Sequence, residues 1–199
     1  MNNVLIAIPT FENILPDTFK SIYNLEVPVN TTCHFEFVRG YDCAKARNDI
    51  ATMAINGGFS HVLMVDSDII LPSHTLSSML VDNLGICLGV YPRKNTDTGQ
   101  TEIFKLGQYN YIEVYSAEQI DALNGNKTEI KGGGLGCSLI RTDIFSSLPF
   151  PWFKYVVYES GEVLSEDNYF CSLATSAGYK IYVDSAVRCG HSVSGFQWR

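Results

Sequence analysis

His61-Val62-Leu63-Met64-Val65-Asp66-Ser67-Asp68 decides the fold: five residues of buried character run straight into two carboxylates one residue apart. A short apolar run bounded by polar residues reads as a strand buried on both faces, the property of a parallel sheet covered by helices. Asp66 and Asp68 then stand at that strand's carboxyl end. Upstream, Asn3 to Pro9 (NVLIAIP) is a second buried strand, followed by a polar loop from Thr10 to Asn13. Pro16 suits the first turn of a helix running to about Leu25. His34 to Val38 alternates as a strand, and Asp42 can cap a helix from Cys43 to about Asn56, which Gly57-Gly58 ends. Downstream, Pro72 and Ser73 open a helix to about Asn83, and Ile86 to Tyr91 is another apolar strand.

This β-α-β-α-β-α-β order predicts an α/β fold with a Rossmann-like, mostly parallel central sheet and helices on both faces. Ligands of such sheets sit at the strands' carboxyl ends. Chemistry is therefore expected in the loops Thr10 to Glu12, Arg39 to Asp42, Asp66 to Asp68 and Tyr91 to Lys94. The second half is more mixed. Strands are expected at Glu102 to Leu106, Tyr111 to Tyr115 and Leu135 to Arg141, with a short helix near Ala117 to Leu123. An aromatic patch spans Phe150 to Tyr155. Phe170, Leu173, Ala174 and Ala177 form one core-facing stripe on a helix from Glu166 to Ala177. Gly178 ends that helix, and Lys180 to Val183 returns as a strand. No repeat or linker interrupts the chain, so residues 1–199 read as a single domain, with a nucleotide-type half over about 1–94 and a smaller mixed half over about 95–199.

The 199 residues are 46% hydrophobic and 18% charged, a composition that can fill a core. The 21 acids against 14 bases give a net charge of -7, which offers no general attraction for nucleic acid or an anionic membrane. Arg93, Lys94, Lys105 and Lys131 could still form a local basic strip. No apolar stretch approaches the length of a membrane span, and Val4 to Pro9 lacks the basic residues that precede a secretory signal. The expectation is a soluble cytoplasmic protein. The six cysteines show neither C-x-x-C pairs nor zinc-like spacing and read as reduced, mostly buried thiols.

Asp66 and Asp68 can aim oxygens at a hard divalent cation and leave positions open for a phosphate. Acids also end parallel strands simply because the chain turns into water there. Arg47, with Lys45 and Asn48, lies in the first turns of the helix after the second strand, where it could meet an anion or a nucleobase edge, or form a solvated face. Ser165-Glu166-Asp167 is explained by an N-cap and the helix dipole alone. As a general base, Asp167 or Glu166 would be kept ionised by that helix terminus and would be intrinsically weak. His191 follows the last strand at the same sheet edge and, beside two carboxylates, would favour Mn2+ over Mg2+. Lys131-Gly-Gly-Gly-Leu-Gly136 precedes a strand, unlike a P-loop, and its glycines allow close approach of a substrate backbone or a flexible turn. Trp152 and Tyr155 could wall a sugar ring or belong to the core.

In order along the chain, VLIAIPTFEN, AKARNDIATMAI, HVLMVDSDIILP, GVYPRK, GGGLGCSLIRTDIFSSL and SEDNYFCSLATSAGYKIYVDSAVRCGH together resemble the GT-A glycosyltransferases, most closely the family 2-like enzymes. The resemblance implies a nucleotide-diphospho-sugar transferase fold, with a nucleotide-sugar site in the first half and an acceptor site in the second. It implies that Pro9, Thr10, Glu12, Arg47, Asp66 and Ser67 contact the donor nucleotide, and that Asp66, Asp68 and His191 hold Mn2+ or Mg2+. It places Asp167, with Glu166, on the family's base motif, and Gly134, Leu135, Gly136 and Trp152 beside the acceptor. The tail Phe196 to Arg199 is not the Q-x-x-R-W of processive synthases.

The implied activity is metal-dependent transfer of one sugar from a nucleoside-diphosphate-sugar, by default a UDP-sugar, to an acceptor hydroxyl with inversion. The acceptor could be a glycan, a protein, a lipid-linked sugar, a small metabolite or a hydroxymethylated nucleic-acid base. No membrane span is expected, and a homo-oligomer is compatible. The alternatives are a retaining GT-A enzyme and a noncatalytic nucleotide- or sugar-binding module. A sugar-nucleotide pyrophosphorylase needs a Gly- and Arg-rich loop after the first strand, and a D-x-D phosphatase carries its acids there. IPTFEN is neither.

Overall fold

The computed structural model describes residues 1–11, 13–40, 42–94, 99–107 and 112–192. Its first part contains β1 (Asn2–Thr10), α1 (Pro16–Tyr23), β2 (Thr31–Arg39), α2 (Cys43–Asn56), β3 (His61–Val65), β4 (Ile69–Ile70), α3 (Thr75–Leu80) and β5 (Ile86–Val90). Then come β6 (Gln100–Leu106), β7 (Ile112–Ser116), α4 (Ala117–Asp121), β8 (Lys127–Ile130), β9 (Gly132–Gly133), β10 (Cys137–Arg141) and α5 (Thr142–Ser147). The chain ends through β11 (Val156–Val157), β12 (Val163–Leu164), α6 (Glu166–Ser176), β13 (Ile181–Arg188) and β14 (Gly190–His191).

A seven-stranded sheet in the order β2-β1-β3-β10-β5-β13-β8 forms the centre. β2, β1 and β3 run parallel, as do β5 and β13. β10 inserts between β3 and β5 and runs antiparallel to both, so the sheet is mostly, not wholly, parallel. β8, which the sequence pattern does not announce, closes the far edge antiparallel to β13. Both faces of the sheet are apolar. One core joins the sheet to α2, α5 and α6 through Ile50, Ala54, Phe145 and Phe170; the other joins it to α1 and α3 through Ile22, Leu76 and Met79.

Local chemistry sets the element ends. The Asp42 carboxylate accepts from the Lys45 N–H at 2.7 Å and starts α2. Gly178, at φ 91°, stops α6 in the left-handed region that glycine enters freely. The α6 stripe is shifted from expectation: Phe170, Cys171 and Ala174 are buried, whereas Ala177 is exposed past the last turn. Cys87, Cys137, Cys171 and Cys189 are buried, Cys33 is half-buried and Cys43 exposed, and all six are free. Among the described residues no helix is long and apolar enough to cross a membrane.

Asn48 is a structural tie and meets no anion. Its amide donates to the carbonyls of Ala44 at 2.8 Å and Phe153 at 2.7 Å, while its side-chain oxygen accepts from the Trp152 and Phe153 N–H groups. These bonds fasten α2 to the segment carrying Phe153, whose ring stacks on Phe170 at 4.9 Å. Asn48→Ala leaves buried backbone donors unpaired and is expected to cost about 2–3 kcal/mol. A fall of about 4–10 °C in melting temperature follows for a chain of this size. An unchanged melting curve would contradict the tie.

Candidate functional site

At the carboxyl edge of β3, one buried cation organises the acids. Arg47, on the inner face of α2, is only 1% exposed. Its Nε donates to Asp167 Oδ1 at 3.1 Å, and Nη1 and Nη2 each donate to Asp66 Oδ1 at 3.1 Å. Glu166 Oε1 lies 3.9 Å from the same Nε. The solvated-face reading of Arg47 is thereby corrected, and the anions it meets are the protein's own. Lys45, two residues earlier, does face water and pairs with Asp49. Asp66 follows β3 directly, Glu166 and Asp167 occupy the first turn of α6, and the Ser165 hydroxyl accepts from the Asn168 N–H to cap that helix.

Three carboxylates against one guanidinium leave this corner with excess negative charge. Burial opposes the charge on Arg47, but Asp167, Asp66 and Glu166 outweigh it and raise its pKa further. Burial likewise raises Asp66, against the lowering effect of Arg47. Asp167 is pushed up to about 6: burial dominates and Glu166 adds to it, while Arg47 and the Leu135 N–H oppose. The expectation of an intrinsically weak Asp167 is therefore corrected, because desolvation exceeds the helix-end field, while the carboxylate stays mostly ionised at neutral pH. Asp167 Oδ2 accepts from the Leu135 backbone N–H at 3.1 Å, which draws the glycine-rich loop into the site.

That loop explains its own glycines. A Cβ on Gly134 would lie 2.1 Å from the Tyr91 hydroxyl oxygen, and one on Gly136 would lie 2.9 Å from Asp66 Oδ2. The Tyr91 hydroxyl accepts from the Gly136 N–H at 3.0 Å, and its ring meets His191 edge-on at 5.4 Å. The close approach is thus made by Tyr91, which ends the strand and opens the Tyr91–Lys94 loop, where chemistry was expected without a role for this residue. Its position on the same sheet edge as Asp66 was the available signal.

Asp68 belongs to a second cluster. Its Oδ2 accepts from the Lys94 ammonium, and its Oδ1 lies 3.6 Å from His191 Nε2. Burial would raise its pKa, but His191 and Lys94 prevail and hold it at about 2. His191 Nδ1 faces the Pro92 carbonyl at 2.7 Å, so Nδ1 carries a proton and donates. This partner orients Nε2 toward Asp68, the second-shell pattern of a metal-ligating histidine. Asp68 and His191 are oxygen and nitrogen donors of the kind a divalent cation takes. Asp66 is committed to Arg47, and among the described residues no group of three or more His, Cys, Asp or Glu side chains is gathered for a metal.

The other expected positions divide. Pro9 is buried at the end of β1, and the Thr10 hydroxyl donates to the Asn13 carbonyl. Ser67 is partly exposed, and its carbonyl accepts from the Leu15 N–H. Glu12 and the 196–199 tail lie outside the described residues. Trp152 is corrected to a core residue: it is 7% exposed, and its indole N–H donates to the Phe145 and Leu148 carbonyls. Of the basic strip, Lys94, Arg93 and Lys105 pair with Asp68, Glu102 and Glu113.

A mixed, mostly parallel sheet with helices on both faces is the GT-A glycosyltransferase type of fold. A197 from STIV aligns over 97% of this chain and 86% of its own, with TM-score 0.61 and 18% identity. A structure of GalNAc-T7 with UDP, GalNAc and Mn2+ aligns over 98% of this chain and 45% of its own, with TM-score 0.65 and 9% identity. At these identities the likeness shows the fold. No protein-family model and no curated protein matches the chain.

The Asp167 shift makes a pH prediction. An unfolded aspartate titrates near 3.8 and Asp167 in the fold near 6, so between those values the folded state holds more protons. Stability linked to this group then falls as pH rises through that window. Relative to wild type, Asp167→Asn is expected to gain about 2–3 kcal/mol on going from about pH 4 to pH 7, whatever its offset at acid pH. Urea unfolding at several pH values checks this; a difference independent of pH would contradict it.

Proposed function

We propose that this chain is a glycosyltransferase that moves one sugar from a nucleoside-diphosphate-sugar, by default a UDP-sugar, to an acceptor hydroxyl with inversion. The observation that carries the reading is the buried Arg47 bridge. It supports a role for the D-x-D acid Asp66 and for Asp167 in one site at the strand ends, where α/β sheets bind ligands. The fold likeness to a UDP- and Mn2+-containing transferase supports the same assignment. Asp68 and His191 would hold a divalent cation, which when bound supplies positive charge against the departing diphosphate.

Asp167 serves as the base for the acceptor proton. A carboxylate with its pKa raised to about 6 remains mostly ionised at neutral pH and binds a proton more strongly than a solvated one. Arg47 keeps Asp167 oriented through Oδ1 and the Leu135 N–H does so through Oδ2, so position and basicity act together. In a single displacement the acceptor oxygen forms the new bond to the anomeric carbon, the bond to the diphosphate breaks, and the hydroxyl proton passes to Asp167. Positive character develops at the anomeric carbon, as in other glycosyl chemistry. The acidic surroundings of Asp66 and Glu166 favour that charge. The acceptor lies on the loop 134–136 side, and the cytoplasm is the compartment in which such donors would be met.

Asp167→Asn is expected to lower transfer at least about 100-fold while leaving donor binding within a few-fold. In the wild type, kcat/KM should fall as pH drops below about 6. Radiolabelled-donor assays and titration calorimetry separate the two effects. Full transfer by the variant would remove Asp167 as the base, and a wild type that binds donors without releasing any nucleoside diphosphate would mark a noncatalytic binding module.

A further inference from the structure

We infer that β2 is the seam of a symmetric dimer, pairing antiparallel with β2 of a second copy of this chain. β2 is an outer strand of the seven-stranded sheet, nine residues long, and pairs with β1 from Asn2↔Thr31 to Thr10↔Arg39 without a register shift. Natural sheets protect such edges with charged side chains, lysine above all, or with proline, bulges or brevity. The sequence Thr31-Thr-Cys-His-Phe-Glu-Phe-Val-Arg39 contains no lysine or proline, its pairing has no bulge, and its charges are one acid, Glu36, and one base, Arg39. The opposite edge, β8, is protected: it has four residues, and Lys127 at its start is drawn to Asp82 and Asp184.

Side chains on this edge suit a copy of itself. Phe35 and Phe37 are 36% and 44% exposed and meet each other edge-on at 4.8 Å, and Phe19 of α1 extends the same apolar strip against Phe35. Charge then selects one register. Centring the two-fold axis on Phe35 sets Phe35 against its counterpart, Cys33 against Phe37, Thr31 against Arg39, and His34 against Glu36. Each Glu36 carboxylate thus faces the His34 imidazole of the other copy, and the pair occurs twice, once in each half of the seam. Centring on Glu36 would set two carboxylates directly opposite, a destabilising cross-strand pair. The chosen register extends the backbone ladder across both chains and pairs, in each, an edge that is open among the described residues. The Arg47 site, at the end of β3 two strands inward, stays uncovered.

Sedimentation equilibrium on the full chain tests the seam, with circular dichroism to confirm folding of each variant. Wild type is expected to show a concentration-dependent monomer–dimer equilibrium, and Phe35→Lys to give a folded monomer. Glu36→Lys and His34→Glu should each weaken dimerisation about tenfold. The double variant His34→Glu/Glu36→Lys should restore it, since the swap sets a lysine opposite a glutamate across the axis. A wild type that stays monomeric at high micromolar concentration overturns the proposal. So does a folded Phe35→Lys dimer, or a double variant no tighter than the single ones.

Discussion

A single buried guanidinium facing three carboxylates is the constraint on which the site's architecture depends. Arg47 is charged, nearly inaccessible, and in contact with the end of β3 and the start of α6. Removing one partner of a buried pair typically costs 3–5 kcal/mol, because the remaining charge is left without compensation. The arrangement therefore fixes where α2, β3 and α6 can lie relative to one another. It also leaves negative charge that one guanidinium does not cancel; burial, with Glu166 adding to it, raises the proton affinity of Asp167.

Sheet topology supplies the rest of the site. Inserting β10 antiparallel between β3 and β5 brings the segment before it, Gly134 to Gly136, over the carboxyl ends of its neighbours. The Asp66 N–H donates to the Gly136 carbonyl, the Gly136 N–H donates to Tyr91 at the end of β5, and the Leu135 N–H donates to Asp167. One short loop thereby links the D-x-D strand, the Tyr91 and His191 ring pair, and the α6 terminus. A parallel strand at that position would present its other end to the site, and these N–H groups would be elsewhere.

Much of this was legible in the chain. Runs such as NVLIAIP and HVLMV declare buried strands because nothing polar interrupts them, and Asp42, Ser165 and Gly178 declare helix ends through their capping chemistry. Asp66 and Asp68 stand out because strand ends of a parallel sheet converge on one edge, and Glu166 and Asp167 because they follow a capping serine in a first helical turn. Long-range placement was less visible. Nothing local tells CSLIR to run antiparallel in the centre of the sheet, and β8 is too short and polar to stand out. Trp152 was misplaced because an aromatic in a run of aromatics reads alike as ligand wall or core. Arg47 offered a missed signal: it lies between Ala44, Ile50, Ala51 and Ala54 on the buried face of α2, and a charge on such a face needs buried partners.

The most direct measurement is the melting temperature of the wild-type chain with UDP, GDP, CDP, ADP and dTDP, each with and without Mn2+. Ligand at a hundredfold its dissociation constant stabilises a fold by about 2.7 kcal/mol, which for this size is a shift of roughly 5–10 °C. Such a shift is expected for one nucleoside diphosphate, dependent on Mn2+ and lost in Asp68→Ala. A melting temperature that no nucleotide moves, with or without the metal, would contradict the reading of this sheet edge as a nucleotide-sugar site.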